Sequence, residues 1–571
     1  MSTSSPAPHL KVWPKRLPRE LVIPNTTLWF NLGVSARRYP DKAAYLFFGQ
    51  PLTYAALHDQ AQRIAGWLHS VGVQPGDRVA LFMQNCPQFP AACYAVWAAN
   101  AVLVPVNPMN RAEEFKHYLS DPQTRVVICS ADLAPIVHAA NDSLPEPQRA
   151  GHVLVARFVD ALPSGPIAAA DAPSAAIEQW LRSEPPAPAA SHARHHEWAQ
   201  VLAQSLAAPP HTALPDDLAM LPYTSGTTGL PKGCMHTHRT LMANAVGGQW
   251  SHAGPETVAL GVVPMFHITG MMYSVLGSVF AGATCVLMPR WDRELAGRLI
   301  SNRQVTHWTC IPTMIIDLFG SPNYRQFDLS SLRNISGGGA AMPQPVAQRL
   351  QDEFGLTFAE GYGLTETAAP SHANPPERAK LQCLGIPIFG VDSRIVDPIT
   401  LQELPAGEAG EIVTHGPMVF QGYWRHPEAT AAAFIELDGK QFFRTGDLGR
   451  RDEEGYFFIT DRLKRMINAS GFKVWPAEVE ALLYRHPAVQ EACVIAARDA
   501  YRGETVKAVV VLRAAEVGQT SEQDLIAWAR EEMAAYKAPK QVEFVEALPK
   551  SGSGKVMWRL LQSREDGEAA A

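Results

Sequence analysis

The sequence predicts an α/β protein built in more than one part, and three observations predict it. From Thr53 to Ala156 helical and strand patterns alternate, as they do where a largely parallel sheet is covered by helices. Past Gly385, glycines recur at Gly407, Gly410, Gly416 and Gly422 with β-rich pieces between them, which suits a small antiparallel or barrel-like subdomain. Roughly the last hundred residues carry a separate helix and strand pattern, that of a compact α+β domain. At 571 residues the chain is also too long for one ordinary core.

In order, residues 1–50 read as an extended arm leading into a helix near Leu28 to Tyr39. Thr53 can cap a second helix, because Leu57, Ala61, Ile64, Ala65 and Leu68 fall on one face at 3.6-residue spacing. Gly72 ends it, Pro75-Gly76 turns, and Arg78 to Met83 reads as a buried strand. A helix over Gln88 to Asn100 follows, then strands at Val102 to Val106, Arg125 to Cys129 and His152 to Ala156. From Ala161 to Pro215, Ala and Pro dominate, and the stretch reads as a poorly ordered surface insertion or a loop with one short helix. Its His192, His195 and His196 read as solvated loop residues, since no ligand partner stands at metal spacing. His236 and His238 are two apart, poorly spaced for one metal, and read as packing or hydrogen-bonding histidines.

Strands are predicted at Val258 to Val263 and Ala283 to Met288, and Thr306 to Met314 as a strand ending in a turn. The apolar run Met271 to Pro289 reaches membrane-spanning length, but Gly277 and Gly282 split it, so a helix followed by a buried strand explains it equally well. At the far end a helix starts at Pro476, strands follow at Ala492 to Ala496 and Val506 to Leu512, Ser521 caps a helix, and Val542 to Val545 is a last strand.

A formal net charge of −6 and 47% hydrophobic residues argue against a nucleic-acid binder, which would be basic. The eight cysteines form no Cys-x-x-Cys pair and read as reduced, buried residues of a cytoplasmic protein. Lys11, Lys15, Arg16 and Arg19 have no apolar run after them, so no signal peptide is expected.

The chemistry gathers around YTSGTTGLPKG, Tyr223 to Gly233. Small hydroxyl side chains, close-approaching glycine backbone and the cation of Lys232 suit a polyphosphate. The spacing is not that of a Walker A loop, because Pro231 precedes Lys232 and Gly233 follows it. Two further Gly-rich turns are expected, SGGGAAMP (Ser336 to Pro343) and EGYGLTET (Glu360 to Thr367). With LTYAAL, FRTGDLG, ITDRLKRMINASGFKVWPAEVE and PKSGSGK, these motifs resemble the adenylate-forming enzymes: acyl-CoA synthetases, luciferases and peptide-synthetase adenylation domains. The resemblance covers nearly the whole chain and is strongest to bacterial fatty acyl-CoA synthetases of medium or long chain.

That resemblance implies an ATP-dependent acid:CoA ligase, with ATP, Mg²⁺ and coenzyme A as co-reactants and a carboxylic acid as substrate. It implies an N-terminal adenylation domain over residues 1–462, with an insertion at about 161–215, and a mobile C-terminal domain over 463–571. Thr224, Ser225, Gly226, Thr227 and Thr228 would hold the β- and γ-phosphates, with Lys232 as a cation for ATP phosphate oxygens in the same turn, Thr365 the α-phosphate and Glu366 the metal. Gly338, Gly339 and Tyr362 would form the adenine slot, and Asp447, with Arg462 as its partner, would take the ribose. Lys555 would bridge the attacking carboxylate and the α-phosphate. Lys464 would be the hinge, Gly471 and Lys473 would meet CoA, and His267, Met271, Met272, Val275 and Val279 would wall the acyl pocket. An aryl acid, transfer to a carrier protein, a non-catalytic nucleotide-binding regulator and a luciferase-like oxygenase remain open alternatives. No integral membrane segment is expected; peripheral membrane contact and a homodimer stay open.

Overall fold

The computed structural model describes residues 7–183, 191–224, 230–338, 342–462, 465, 467–469, 472–474, 476–499, 503–534, 536–550 and 556–567. The chain divides into two compact units, Met1–Asp392 with Thr414–Phe443, and Ser393–Val413 with Arg444–Ala571.

The first unit holds two large sheets. One has seven strands in the spatial order His236–Thr237, Leu218–Met220, Val102–Pro105, Arg78–Phe82, Thr124–Ser130, His152–Ala156 and Arg194–Glu197. All but the His236–Thr237 edge pair in parallel, as buried βαβ crossovers require. The other has nine strands: Ile386–Pro387, Ala369–Ala373, Phe358–Leu364, Asn334–Gly337, His307–Cys310, Val258–Gly261, Thr284–Leu287, Ala43–Phe47 and Gln50–Thr53. Its centre is parallel and its two ends are antiparallel.

The predicted amphipathic helix is Tyr54–Ser70; the Thr53 hydroxyl accepts the Ala56 N–H at 3.2 Å, and Leu57, Ala61, Ile64, Ala65 and Leu68 are all buried. It packs on Gln88–Ala98, whose eleven residues are all buried, as befits a helix that is apolar on every side. All eight cysteines are buried and unbridged. Among the described residues no helix is long and apolar enough to cross a membrane. The Met271–Pro289 run instead forms a π-helical turn, Met271–Leu276, a short helix, Gly277–Ala281, and the buried strand Thr284–Leu287.

Three local expectations are corrected. The 161–215 stretch holds two helices, Ala175–Arg182 and Trp198–Gln204, and the strand Arg194–Glu197, which completes the seven-stranded sheet. His195 and His196 are therefore half-buried strand residues: His196 Nε2 lies 3.0 Å from His152 Nδ1, and His195 Nε2 lies 2.8 Å from Glu197 Oε1. EGYGLTET is not a turn over its first half, because Phe358–Leu364 is a strand and only Thr365–Thr367 turns, as a 3-10 helix. Thr306 to Met314 ends not in a turn but in the helix Pro312–Phe319, which proline opens at its first position.

Antiparallel pairing follows Gly385 as expected. In the first unit Phe434 pairs with Phe443 and Leu437 with Lys440; in the second Asp447 pairs with Arg462 and Arg451 with Phe457. The second unit is otherwise α+β. Gly503–Leu512 pairs antiparallel with Val489–Asp499 and parallel with Gln541–Phe544, and helices Pro476–Leu483 and Glu522–Glu532 complete a core around Val479, Leu483, Val494, Val510 and Leu525. Ser521 and Asp524 form a reciprocal capping box.

Candidate active site

Tyr223–Thr224 and Lys232–Gly233 form a two-stranded hairpin, Lys232 opposite Thr224 and Gly233 opposite Tyr223. Gly233 suits a close approach, since a Cβ there would stand 3.1 Å from the Tyr223 ring and the ring would have to give way. The segment after Gly233 runs beside residues 420–424: Trp424 N–H donates to the Gly233 carbonyl at 2.8 Å, Met235 N–H to Gly422 at 2.9 Å, and Gln421 N–H to Met235 at 2.9 Å.

That pairing delivers Tyr423 to Glu366. The Tyr423 hydroxyl donates to Glu366 Oε1 at 2.9 Å, the Glu366 carbonyl accepts Phe420 N–H at 2.8 Å, and Lys232 Nζ sits 5.5 Å from the Tyr423 ring centre. Burial, and then the Glu366 carboxylate, push the Tyr423 phenol far above its ordinary pKa, so it is a permanent donor. On the other side of the turn, His236 Nε2 donates to the Thr365 carbonyl at 2.8 Å, while Nδ1 lies 3.1 Å from the Thr240 hydroxyl. Burial lowers the His236 pKa to about 4, so this imidazole is neutral. His238, lowered to about 3 by burial and His211, lies with Nδ1 3.3 Å from Leu28 N. Both histidines hold structure, as the sequence reading has it.

The backbone after Glu366 is strained. Ala368 and Ala369 take φ of 49° and 75°, a region that costs non-glycine residues free energy. Asn244, buried on the helix His238–Val246, compensates: its Nδ2 lies 3.1, 2.8 and 3.0 Å from the carbonyls of Thr367, Ala368 and Pro370. The Thr367 hydroxyl adds a bond from Leu364 N–H at 2.8 Å.

Upstream, Tyr362 is nearly buried, its ring 5.5 Å from His372, and a Cβ on Gly338 would collide with the Gly361 carbonyl at 2.3 Å. Glycine at 338 is thus demanded by strand packing whatever binds there. Glu360 is buried, accepts Gln382 N–H at 2.9 Å, and is pushed up to about 7 by burial, against backbone N–H groups of Gln382 and Met342 that favour the carboxylate.

His267 caps the turn Ile268–Gly270, its Nδ1 accepting Thr269 N–H at 3.3 Å; Met271, Met272, Val275 and Val279 are all buried. Asn85 fixes the loop before them, donating to Gly261 and Val263 and accepting Met265 N–H at 2.8 Å.

In the second unit Asp447 is buried, with its N–H donating to the Thr445 hydroxyl at 3.1 Å, and Arg444 and Gly446 both bind Glu411. Of Arg462 and Lys473 the backbone is described, in strands Phe457–Arg462 and Phe472–Val474. Ser225, Gly226, Thr227, Thr228, Gly339, Lys464, Gly471 and Lys555 lie outside the described residues. Among the described residues no group of three or more His, Cys, Asp or Glu converges as a metal site.

The structure thus brings Thr224, Lys232, Thr365 and Glu366 together through residues that the sequence reading missed: Tyr423 and Asn244. Gly422 before Tyr423 was the one signal available, and it does not point to Glu366.

The AMP-binding enzyme family matches residues 32–424, and the AMP-binding enzyme C-terminal domain matches residues 478–555. A long-chain-fatty-acid–CoA ligase of Bacillus subtilis (strain 168) is 36% identical over 98% of this chain and 98% of its own. A feruloyl-CoA synthase of Amycolatopsis sp is 37% identical over 91% of this chain and 96% of its own. The crystal structure of ATP-bound MatB from Rhodopseudomonas palustris superposes with a TM-score of 0.81 at 28% identity, covering 96% of this chain and 100% of that one.

Proposed function

The chain belongs to the AMP-binding enzyme family and is an acid–thiol ligase, and from that premise we propose that it couples a medium- or long-chain fatty acid to CoA through an acyl-AMP. The acid's carboxylate oxygen attacks the α-phosphorus of ATP and pyrophosphate leaves; the CoA sulfur then attacks the acyl carbon and AMP leaves. The first step brings an anion to a polyanion, so the site must supply positive charge and aimed donors.

The observation that carries this reading is the Thr365–Glu366 turn, held against the exit of the Gly/Thr-rich loop by His236 and Tyr423. Thr365 binds the α-phosphate, and Thr224 with Ser225 to Thr228 and Lys232 the outer phosphates. Glu366 fits Mg²⁺, a hard cation that takes one or two carboxylates beside phosphate oxygens. Gly338, Gly339 and Tyr362 flank the adenine, Asp447 and Arg462 take the ribose, and Lys555 meets the developing charge at the α-phosphate. The small domain begins after Arg462 and turns about Lys464, which brings Gly471 and Lys473 to CoA.

A fatty chain is favoured by the buried aliphatic wall of Met271, Met272, Val275 and Val279. An aryl acid is the second reading, and the comparable identity to a feruloyl-CoA synthase supports it. Pyrophosphate release is to be measured with C4 to C18 fatty acids, benzoate and cinnamates, each with and without CoA. Release with C8 to C18 acids, and acyl-CoA plus AMP only with CoA, supports the proposal. Release with cinnamates alone moves the substrate to aryl acids. Release without CoA turnover points to a carrier-protein acceptor.

A further inference from the structure

The helix Ala112–Ser120 does not belong to any of the motifs, yet it touches both ends of the Gly/Thr-rich loop. Its apolar face is anchored: Phe115 and Leu119 are fully buried, with Phe115 4.5 Å from Phe82 on the central strand of the seven-stranded sheet. Its other face carries His117 and, one turn on, the C-cap Asp121.

His117 Nε2 lies 2.7 Å from the Pro231 carbonyl. A carbonyl only accepts, so Nε2–H donates and the tautomer is set. The Asp121 carboxylate accepts the Tyr223 hydroxyl at 2.5 Å, and the Tyr223 ring packs edge-on against His117 and Tyr118 at 5.5 and 4.9 Å. Tyr223 enters the loop and Pro231 leaves it. The Asp121 carbonyl also reaches the segment after Phe420, accepting Trp424 Nε1–H at 3.2 Å and Arg425 at 3.3 Å, next to the residue that binds Glu366. A hollow of about 480 Å³ lies alongside, lined by His117, Asp121, Leu230, Lys232 and His426 among others.

We propose that His117 and Asp121 are positioning residues for the nucleotide: together they hold Tyr223 and Pro231, and with them Lys232, in the spacing that binds the ATP phosphates. The inference rests on the adenylation reading. Neither residue touches the reacting atoms. Both act by fixing a hairpin that is only two residue pairs long and could not hold its own geometry.

The test is acid-dependent ATP–pyrophosphate exchange in wild type, H117A, H117Q, Y223F and K116A, with KM for ATP and for the acid measured separately. H117Q keeps an N–H donor for the Pro231 carbonyl, and Lys116 pairs with Glu113 on the helix surface. The expected result is KM for ATP raised about tenfold in H117A and Y223F, as for one lost hydrogen bond, with KM for the acid unchanged. H117Q should return to within about threefold of wild type, and K116A should match it. Equal loss in H117A and H117Q, or equal rises in both KM values, overturns the proposal, as does an H117A enzyme like wild type. Thermal melts of each variant separate a misfolded protein from a displaced loop. A wild type that shows no exchange with any acid overturns the adenylation reading and, with it, the positioning roles of His117 and Asp121.

Discussion

The Tyr423 hydroxyl donates to Glu366 Oε1 at 2.9 Å across 57 residues of sequence, and Lys232 lies over the same tyrosine ring at 5.5 Å. One aromatic side chain therefore meets both the cation and the carboxylate of the proposed phosphate site.

Y423F keeps the ring under Lys232 and removes the donor to Glu366. The carboxylate loses one bond that fixes its rotamer. A hydrogen bond to a charged group is worth about 1.5–3 kcal/mol, so an increase of about tenfold or more in the Mg²⁺ concentration for half-maximal pyrophosphate exchange is expected. Unchanged Mg²⁺ dependence would show that the Tyr423 hydrogen bond does not position the Glu366 carboxylate.

The Asn244 clamp predicts a pair of opposite effects. N244A leaves three carbonyls without their donor, and a loss of roughly 2 kcal/mol in urea unfolding is expected, with a fall in kcat. A369G removes the cost of a β-carbon at φ 75° and should gain about 0.5 kcal/mol, the difference between left-handed strain and the extra chain entropy of glycine. In the double variant A369G should recover part of the N244A loss, because both act on one turn.

Much of this was legible in advance because it is local. The helix Tyr54–Ser70 follows from its cap and its apolar period, and Thr365 and Glu366 from a compact motif. Tyr423, Asn244 and Asp121 escaped because their partners are 57, 123 to 126 and 102 residues away, a distance that no periodicity spans. The strand Arg194–Glu197 escaped for a different reason. Its charged and histidine-rich composition reads as loop, and only an open sheet edge beside His152–Ala156 makes it a strand. Glu360 to Gly363 looked like a turn for their glycines, but they lie in a strand, where Gly363 lets the neighbouring Ala369 backbone approach.

Glu360 makes stability depend on pH in a direction opposite to the buried histidines. Its pKa rises from 4.5 to about 7 on folding, so the folded state holds the proton more tightly. Its contribution is fully present below about pH 4.5 and is lost as pH rises to about 7, a swing of about 3 kcal/mol. His236, His238 and His372 are lowered to about 4, 3 and 3, so their contribution is present above about pH 6.5 and is lost on acidification. E360Q keeps an acceptor for Gln382 N–H and removes the titration. Relative to wild type, E360Q should gain stability as pH goes from 5 to 8, measured by urea midpoints. Parallel curves for the two proteins would mean that Glu360 is ionised throughout.

On the proposed cycle, Lys555 should separate the two half-reactions. In the proposed cycle it meets the α-phosphate during adenylation and is withdrawn before CoA attacks. Loss of a cation aimed at developing charge costs about 10²-fold or more. K555A should therefore lower acid-dependent pyrophosphate release by at least that factor, while thioester formation from supplied acyl-AMP and CoA stays within a few-fold of wild type. Equal losses in both assays would mean that Lys555 serves both steps or the fold of the small domain, and would remove the reason for a domain rotation. A melting temperature equal to that of wild type then decides between those two, since a folding role moves it and a chemical role does not.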